Sequence, residues 1–169
     1  MTETNTSNKR SLPVLACYLL LFLGLIGLDR WSKAKVLGSL SSGEVVTVIP
    51  SVLQFRYVEN TGAAFSILSG RSLLLTAVTA AILVAGIVLL VLDKVPGRVN
   101  QIALVLMMAG GAGNLIDRAL RHSVVDFIEV LFTDFAVFNV ADCFVTVGAA
   151  ILILSTVLSF IRDLKNGNS

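Results

Sequence analysis

The chain has 169 residues, enough for one domain, of which 56% are hydrophobic and 14% charged. Its mean hydropathy is +0.88, and the apolar residues stand in long blocks, which excludes a water-soluble core of this size and indicates a membrane protein. A net charge of +2 is too small to argue for nucleic acid, and the cysteines Cys17 and Cys143 form neither a disulfide framework nor a metal motif.

Residues 1–11 read as a polar tail containing Lys9 and Arg10. The apolar run Leu12 to Leu28, interrupted only by Pro13, is long enough to cross a bilayer, which takes about 20 residues. Asp29-Arg30-Trp31 follows it where a small-residue cleavage site would stand, so the run reads as a retained helix and not a cleaved signal peptide. Val14-Leu15-Ala16-Cys17 has a faint likeness to a lipoprotein cleavage box but precedes the apolar stretch, and is accidental. Asp29 and Lys33, four apart, share a helix face and read as an ion pair ending this helix, with Trp31 as an interface anchor.

Gly38 to Gly43 is turn-like. From Glu44 the period changes: Val46 and Val48 alternate with Val45 and Thr47, then Leu53, Phe55 and Tyr57 alternate with Gln54 and Arg56. This predicts two or three half-buried strands within about 44–68. They must lie at the membrane surface or against protein, because open strand edges cannot sit in lipid. Leu73 to Leu92 is an uncharged span, Asp93 to Arg98 a polar turn, and Val99 to Ile116 a third span. Gly110, Gly111 and Gly113 in that span permit close helix approach. Asp117 to Asn139 reads as a charged connection and residues 141–161 as the fourth span, before a polar tail at 162–169. The expectation is an all-α integral membrane protein with four transmembrane helices, a single membrane-embedded domain over 12–161 and a small strand region on one face.

Four spans place both termini on one side. Lys9, Arg10, Lys94, Arg98, Arg162 and Lys165 lie on that side, and Arg30, Lys33, Lys35, Arg56, Arg71, Arg118 and Arg121 on the other, so basic residues alone do not orient the chain.

On this topology Asp29, Asn60, Asn114, Asp117, Arg118, Asp126, Asn139 and Asp142 gather near one membrane face. Asn114, Asp117 and Arg118 share one side of the third helix. Polar groups converging from all four spans or their flanks mark a functional site. The lone His122 has no Cys partner, so zinc is improbable. There is no Cys–His or Ser–His pair, and the neighbours Ser32 and Lys33 do not face each other. Two carboxylates, Asp126 and Asp142, remain; close together, they would share a proton and activate water.

Each residue also has a plainer reading. Asp142 or Asn139 is a helix cap. Asp126 is a loop acid, although Val124-Val125 and Phe127-Ile128 argue for burial. Asp117-Arg118 is a salt bridge or interfacial anchor, and Asn60-Thr61-Gly62 a turn. Glu59, Glu129 and Asp134 are surface acids, His122 a loop residue and Cys143 a small core residue. Two rival classes stand beside a protease. A proton-coupled carrier or scaffold would need a polar path across the membrane, and Leu73–Leu92 and Phe144–Ile161 carry no charge. A lipid-head-group transferase would want a denser acidic motif and a divalent metal.

Five blocks resemble the lipoprotein signal peptidases, the bacterial type II signal peptidases: Asp29-Arg30-Trp31-Ser32-Lys33; Asn60-Thr61-Gly62-Ala63-Ala64-Phe65; Gly110-Gly111-Ala112-Gly113-Asn114 with Asp117-Arg118; Val124-Val125-Asp126-Phe127; and Phe138-Asn139-Val140-Ala141-Asp142. All occur in order among four spans, over about Leu12 to Ile161. The resemblance implies catalytic Asp126 and Asp142, with Asp29, Lys33, Asn60, Gly62, Asn114, Asp117, Arg118, Asn139 and Ala141 binding substrate or supporting the site. It implies removal of the signal peptide before a diacylglyceryl-modified cysteine of a prolipoprotein, without metal or cofactor. It further implies a monomer among membrane lipids, open to cyclic lipopeptide inhibitors of the globomycin type, in the bacterial cytoplasmic (inner) membrane. Both termini would be cytoplasmic, and the active site, a small β-cradle and a covering loop or short helix would lie on the periplasmic (outer) face. Gly111 and Cys143 depart from the family's usual Ala and Ser, and the segment between Asp126 and Asn139 is short.

Overall fold

A computed structural model describes residues 12–40, 44–62 and 70–167. The order is α1 (Leu12–Ser39), β1 (Val45–Ile49), β2 (Leu53–Asn60), α2 (Ser72–Val91), α3 (Arg98–Arg121), β3 (Val124–Val130) and α4 (Val140–Gly167). Ala63-Ala64-Phe65, the expected strand region beyond residue 62, and the chain ends at 1–11 and 168–169 lie outside the described residues.

The four helices are each long and apolar enough to cross a membrane. They differ in what they face. α3 is half buried along its span, while α1, α2 and α4 expose most of theirs. α3 is therefore the central helix, packed chiefly on α4 and also on α1 and α2. Small residues allow this contact: a Cβ at Gly110 would overlap the Ala141 carbonyl oxygen and stand 2.7 Å from Val145 Cγ2. Leu90, Val105 and Met108 form a second contact, joined by Tyr18 and Phe22 of α1.

α1 does not end at Asp29–Lys33 as the charges imply. It continues to Ser39, because Asp29 and Lys33 are wholly buried and paired inside the protein. Its last turns bring Val36 and Leu40 against Val125 and Phe127, so α1 props the sheet from below. Residues 117–121, read as connection, are the last turn of α3, which stops where His122 turns left-handed (φ 61°) and donates its N–H to Arg118 O.

The sheet is antiparallel in the order β1-β2-β3. Its third strand comes from 124–130, outside the predicted strand region. Val124, Val125, Asp126 and Phe127 are all buried, so both faces are covered and the strand lacks the alternation that marks half-buried strands. β1 departs the other way: it is the edge strand and all five residues are exposed, not half-buried. In β2 the register slips by one residue between Phe55↔Ile128 and Val58↔Asp126, a bulge beside Asp126.

Candidate active site

Asp126 projects from β3, and Asn60 stands diagonally across the strand pair, since Val58 opposes Asp126 and Asn60 opposes Val124. Asn60 Nδ2 donates to Asp126 Oδ2 at 2.9 Å. The Asn60 amide is held that way round because its Oδ1 accepts the Gly62 N–H at 2.9 Å, an Asx turn.

Asp142 comes from the start of α4. Asn139 is the helix cap: its Oδ1 accepts the Asp142 N–H at 3.0 Å, and Asp142 Oδ2 accepts the Asn139 N–H at 3.1 Å. This is the reciprocal pattern of a capping box. The same Asn139 donates through Nδ2 to Asp126 Oδ1 at 2.6 Å and to Asn114 Oδ1 at 3.1 Å. Asn114 in turn donates to Asp142 Oδ1 at 2.8 Å. Each of the four carboxylate oxygens thus receives one N–H, and Asn139 bridges both acids.

A layer of charge lies behind. Lys33 Nζ stands 3.0 Å from Asp29 Oδ2 and 2.8 Å from Asp117 Oδ2, and donates to Asn114 Oδ1 at 3.0 Å. Arg30 pairs with Asp117 Oδ1, and the Val125 N–H reaches Asp117 Oδ2 at 3.3 Å. Asp29 Oδ1 accepts the Ala141 N–H at 3.1 Å, so an α1 carboxylate helps to cap α4. Gly113 makes room for it: a Cβ there would stand 2.5 Å from Asp29 Oδ2. Two anions and two cations balance, as buried charge requires.

Both aspartates open into one pocket of about 510 Å³. Asn60, Asn114 and Arg118 supply its other polar groups; Val124, Phe135–Phe138, Cys143, Val145, Thr146 and Val147 make the rest of the wall mostly apolar. Arg118 donates to the Gly62 carbonyl at 2.9 Å, while its buried Nε–H meets no acceptor among the described residues. Burial pushes the Asp126 carboxyl up to about 6, the Asn60 bond opposes this, and the Asp142 charge adds to the rise. Among the described residues no three His, Cys, Asp or Glu side chains converge as a metal site.

The helices of this site are matched over residues 21–158 by a family model described as signal peptidase (SPase) II. The chain belongs to the signal peptidase II family. It is accordingly a peptidase and a multi-pass membrane protein. The chain is similar to the lipoprotein signal peptidase of Streptococcus thermophilus, 41% identical over 132 residues, 78% of this chain and 86% of that one. The Streptococcus pyogenes lipoprotein signal peptidase is 39% identical over 149 residues, 86% of this chain and 93% of that one. A bacterial membrane enzyme solved by the in meso method superposes with a TM-score of 0.81 at 31% identity, covering 94% of each chain.

In this signal peptidase II family member the expected residues divide into two layers. Asp126, Asp142, Asn60, Asn114 and Arg118 line the pocket. Asn139 is wholly buried between the acids, and Asp29, Lys33 and Asp117 form the layer behind. Gly62 and Ala141 take part through their backbones. Asp117 pairs with Lys33 and Arg30 of α1, so of its plainer readings the salt bridge is the one present, with partners on another helix. Arg30 is a participant outside the expected site residues; its partner lies 87 residues away, and its place in the block Asp29-Arg30-Trp31-Ser32-Lys33 is its sequence signal.

Proposed function

We propose that this protein is an intramembrane aspartyl endopeptidase that removes the signal peptide from prolipoproteins, cutting before the diacylglyceryl-modified cysteine. The observation that carries this reading is the opening of Asp126 and Asp142 into one mostly apolar pocket. A lipidated peptide brings acyl chains, an extended backbone and a carbonyl to be attacked, and the pocket has matching walls and polar groups. The pair shares one proton. Its ionised member takes a proton from water, and its protonated member donates toward the scissile carbonyl oxygen. The proton then reaches the leaving amide nitrogen. A carrier needs a polar path across the whole membrane, and α2 and the run Phe144–Ile161 of α4 carry no charge, only Ser and Thr as polar groups.

Arg118 Nε–H, which meets no acceptor among the described residues, donates to a substrate carbonyl. The enzyme works in the bacterial cytoplasmic membrane as a monomer among lipids, with both termini cytoplasmic, the active site at the outer leaflet and the sheet cradling the peptide. Cyclic lipopeptides of the globomycin type would compete for the pocket.

The test is cleavage of a diacylglyceryl-modified prolipoprotein by the purified chain in detergent with EDTA. Wild type cuts before the lipidated cysteine, while folded Asp126→Asn and Asp142→Asn variants do not. A wild type inactive on several such substrates refutes the reading. If a single Asp→Asn variant keeps full rate, the function stands and the pair is wrong.

A further inference from the structure

Lys33 is a long basic side chain with no exposed surface, on a helix that faces lipid for most of its length. Its ammonium has three protons, and three acceptors surround it: Asp29 Oδ2, Asp117 Oδ2 and Asn114 Oδ1. The two acids account for a structural ion pair. The third contact differs, because Asn114 is uncharged and carries its other end to Asp142.

An asparagine amide has nearly the same shape either way round, and its surroundings select the orientation. Turned over, Asn114 would aim Nδ2 at an ammonium that cannot accept, and Oδ1 at a carboxylate that, when ionised, cannot donate. Lys33 and Asn139 Nδ2 both claim Asn114 Oδ1, and of these only Lys33 brings charge. We propose that Lys33 is a positioning residue for the carboxylate pair: it commits the Asn114 amide to donate to Asp142 and sets a fixed positive charge behind the acids, one side chain from Asp142. This rests on the aspartyl peptidase function proposed above.

The charges around this group are known from every element that packs on it. Asp29 and Arg30 come from α1, Asp117 and Arg118 from α3, Asp126 from β3 and Asp142 from α4. Burial raises the Asp126 carboxyl, and the Lys33 charge is among the influences that pull it back. Removing that charge therefore raises the Asp126 carboxyl further.

Removing Lys33 alone would leave two buried acids with one partner, so the test uses Asp29→Asn/Lys33→Met, which retains the Asp117–Arg30 pair, read against Asp29→Asn. Full-length proteins in detergent are assayed on a diacylglyceryl-modified prolipoprotein across pH. The double variant is expected to lower kcat roughly tenfold or more, as loss of a hydrogen bond to a charged group does. KM stays within about twofold and the limb of the pH–rate profile set by Asp126 moves upward. Coincident profiles, with or without a lower kcat, overturn the inference, because Lys33 is then only glue between α1 and α3. A wild type that fails to cut overturns the function and the inference with it. If the double variant does not fold, Asn114→Asp is read instead. It keeps the Oδ1 acceptor that Lys33 and Asn139 share but presents no donor to Asp142, so kcat must fall with KM kept. An unchanged kcat overturns the proposal.

Discussion

Asn139 and Asp142 cap one another: each accepts the other's backbone N–H through its side chain, at 3.0 and 3.1 Å. The sequence offered either residue as a cap or Asp142 as a catalyst. The geometry shows the cap, which fixes the Asp142 carboxylate at the head of α4 where the proposed function uses it. The two contributions separate in Asn139→Ser. Serine is a good cap and keeps an acceptor for the Asp142 N–H. It cannot replace the Nδ2 bonds to Asp126 and Asn114. Thermal unfolding is expected to show a loss of about 1 kcal/mol or less from the cap itself, while cleavage falls about tenfold or more. Asn139→Ala is expected to lose the cap as well. Equal activity in wild type and Asn139→Ser would dismiss the bridging amide.

The packing of α3 on α4 puts a sharp condition on neighbouring glycines. A Cβ at Gly110 would overlap the Ala141 carbonyl, one residue from Asp142, whereas at Gly111 it would meet Leu83 Cδ2 at 3.5 Å, an ordinary contact. Gly111→Ala is expected to be neutral or to gain up to about 1 kcal/mol from helix propensity. Gly110→Ala is expected to cost about 1–3 kcal/mol from overpacking and to abolish cleavage as α4 is pushed from α3. Unfolding midpoints and turnover of the two variants, measured side by side, decide this. A Gly110→Ala enzyme with wild-type turnover would contradict the close approach.

Much of this architecture was legible because lipid imposes long apolar runs, which stand out in one dimension. Asn60, Asn114, Asp126 and Asp142 were legible because polar groups at such depth are expensive and few. β3 was not: Val124 to Phe127 is buried on both faces, so the period that betrays a strand is absent. The end of α1 was misplaced because charge at Asp29 and Lys33 looks like a membrane boundary until Asp117, 84 residues beyond Lys33 in the chain, arrives to neutralise it.

Asp117 joins three elements, taking Arg30 and Lys33 from α1 and the Val125 N–H from β3 onto a carboxylate of α3. Asp117→Asn leaves the two cations of α1 with Asp29 alone. Breaking a buried pair in this way costs about 3–5 kcal/mol. Because Val125 precedes Asp126, the strand that carries the acid loosens as well. The variant is expected to unfold at a clearly lower temperature and to lose activity even where it remains folded. A midpoint equal to wild type would show that the network is not what holds α1 to α3.

The Asp126 carboxyl links stability to pH with a sign opposite to that of a salt-bridged acid. Its folded value is about 6 against an ordinary 3.8. Below the ordinary value both folded and unfolded chains hold the proton, and this group is neutral toward folding. As pH rises toward 6 the unfolded chain releases the proton and the folded one retains it, so stability falls. Above about 6 both are ionised and the deficit is constant. A gap of about two units corresponds to roughly 3 kcal/mol. Asp126→Asn removes the group, so its unfolding midpoint should gain on that of wild type between about pH 4 and 6.5 and run parallel above. The gain with pH is the diagnostic, because the new amide also disturbs its contacts with Asn60 and Asn139 at every pH. A difference that is flat, or that shrinks as pH rises, would mean that burial does not hold a proton on Asp126.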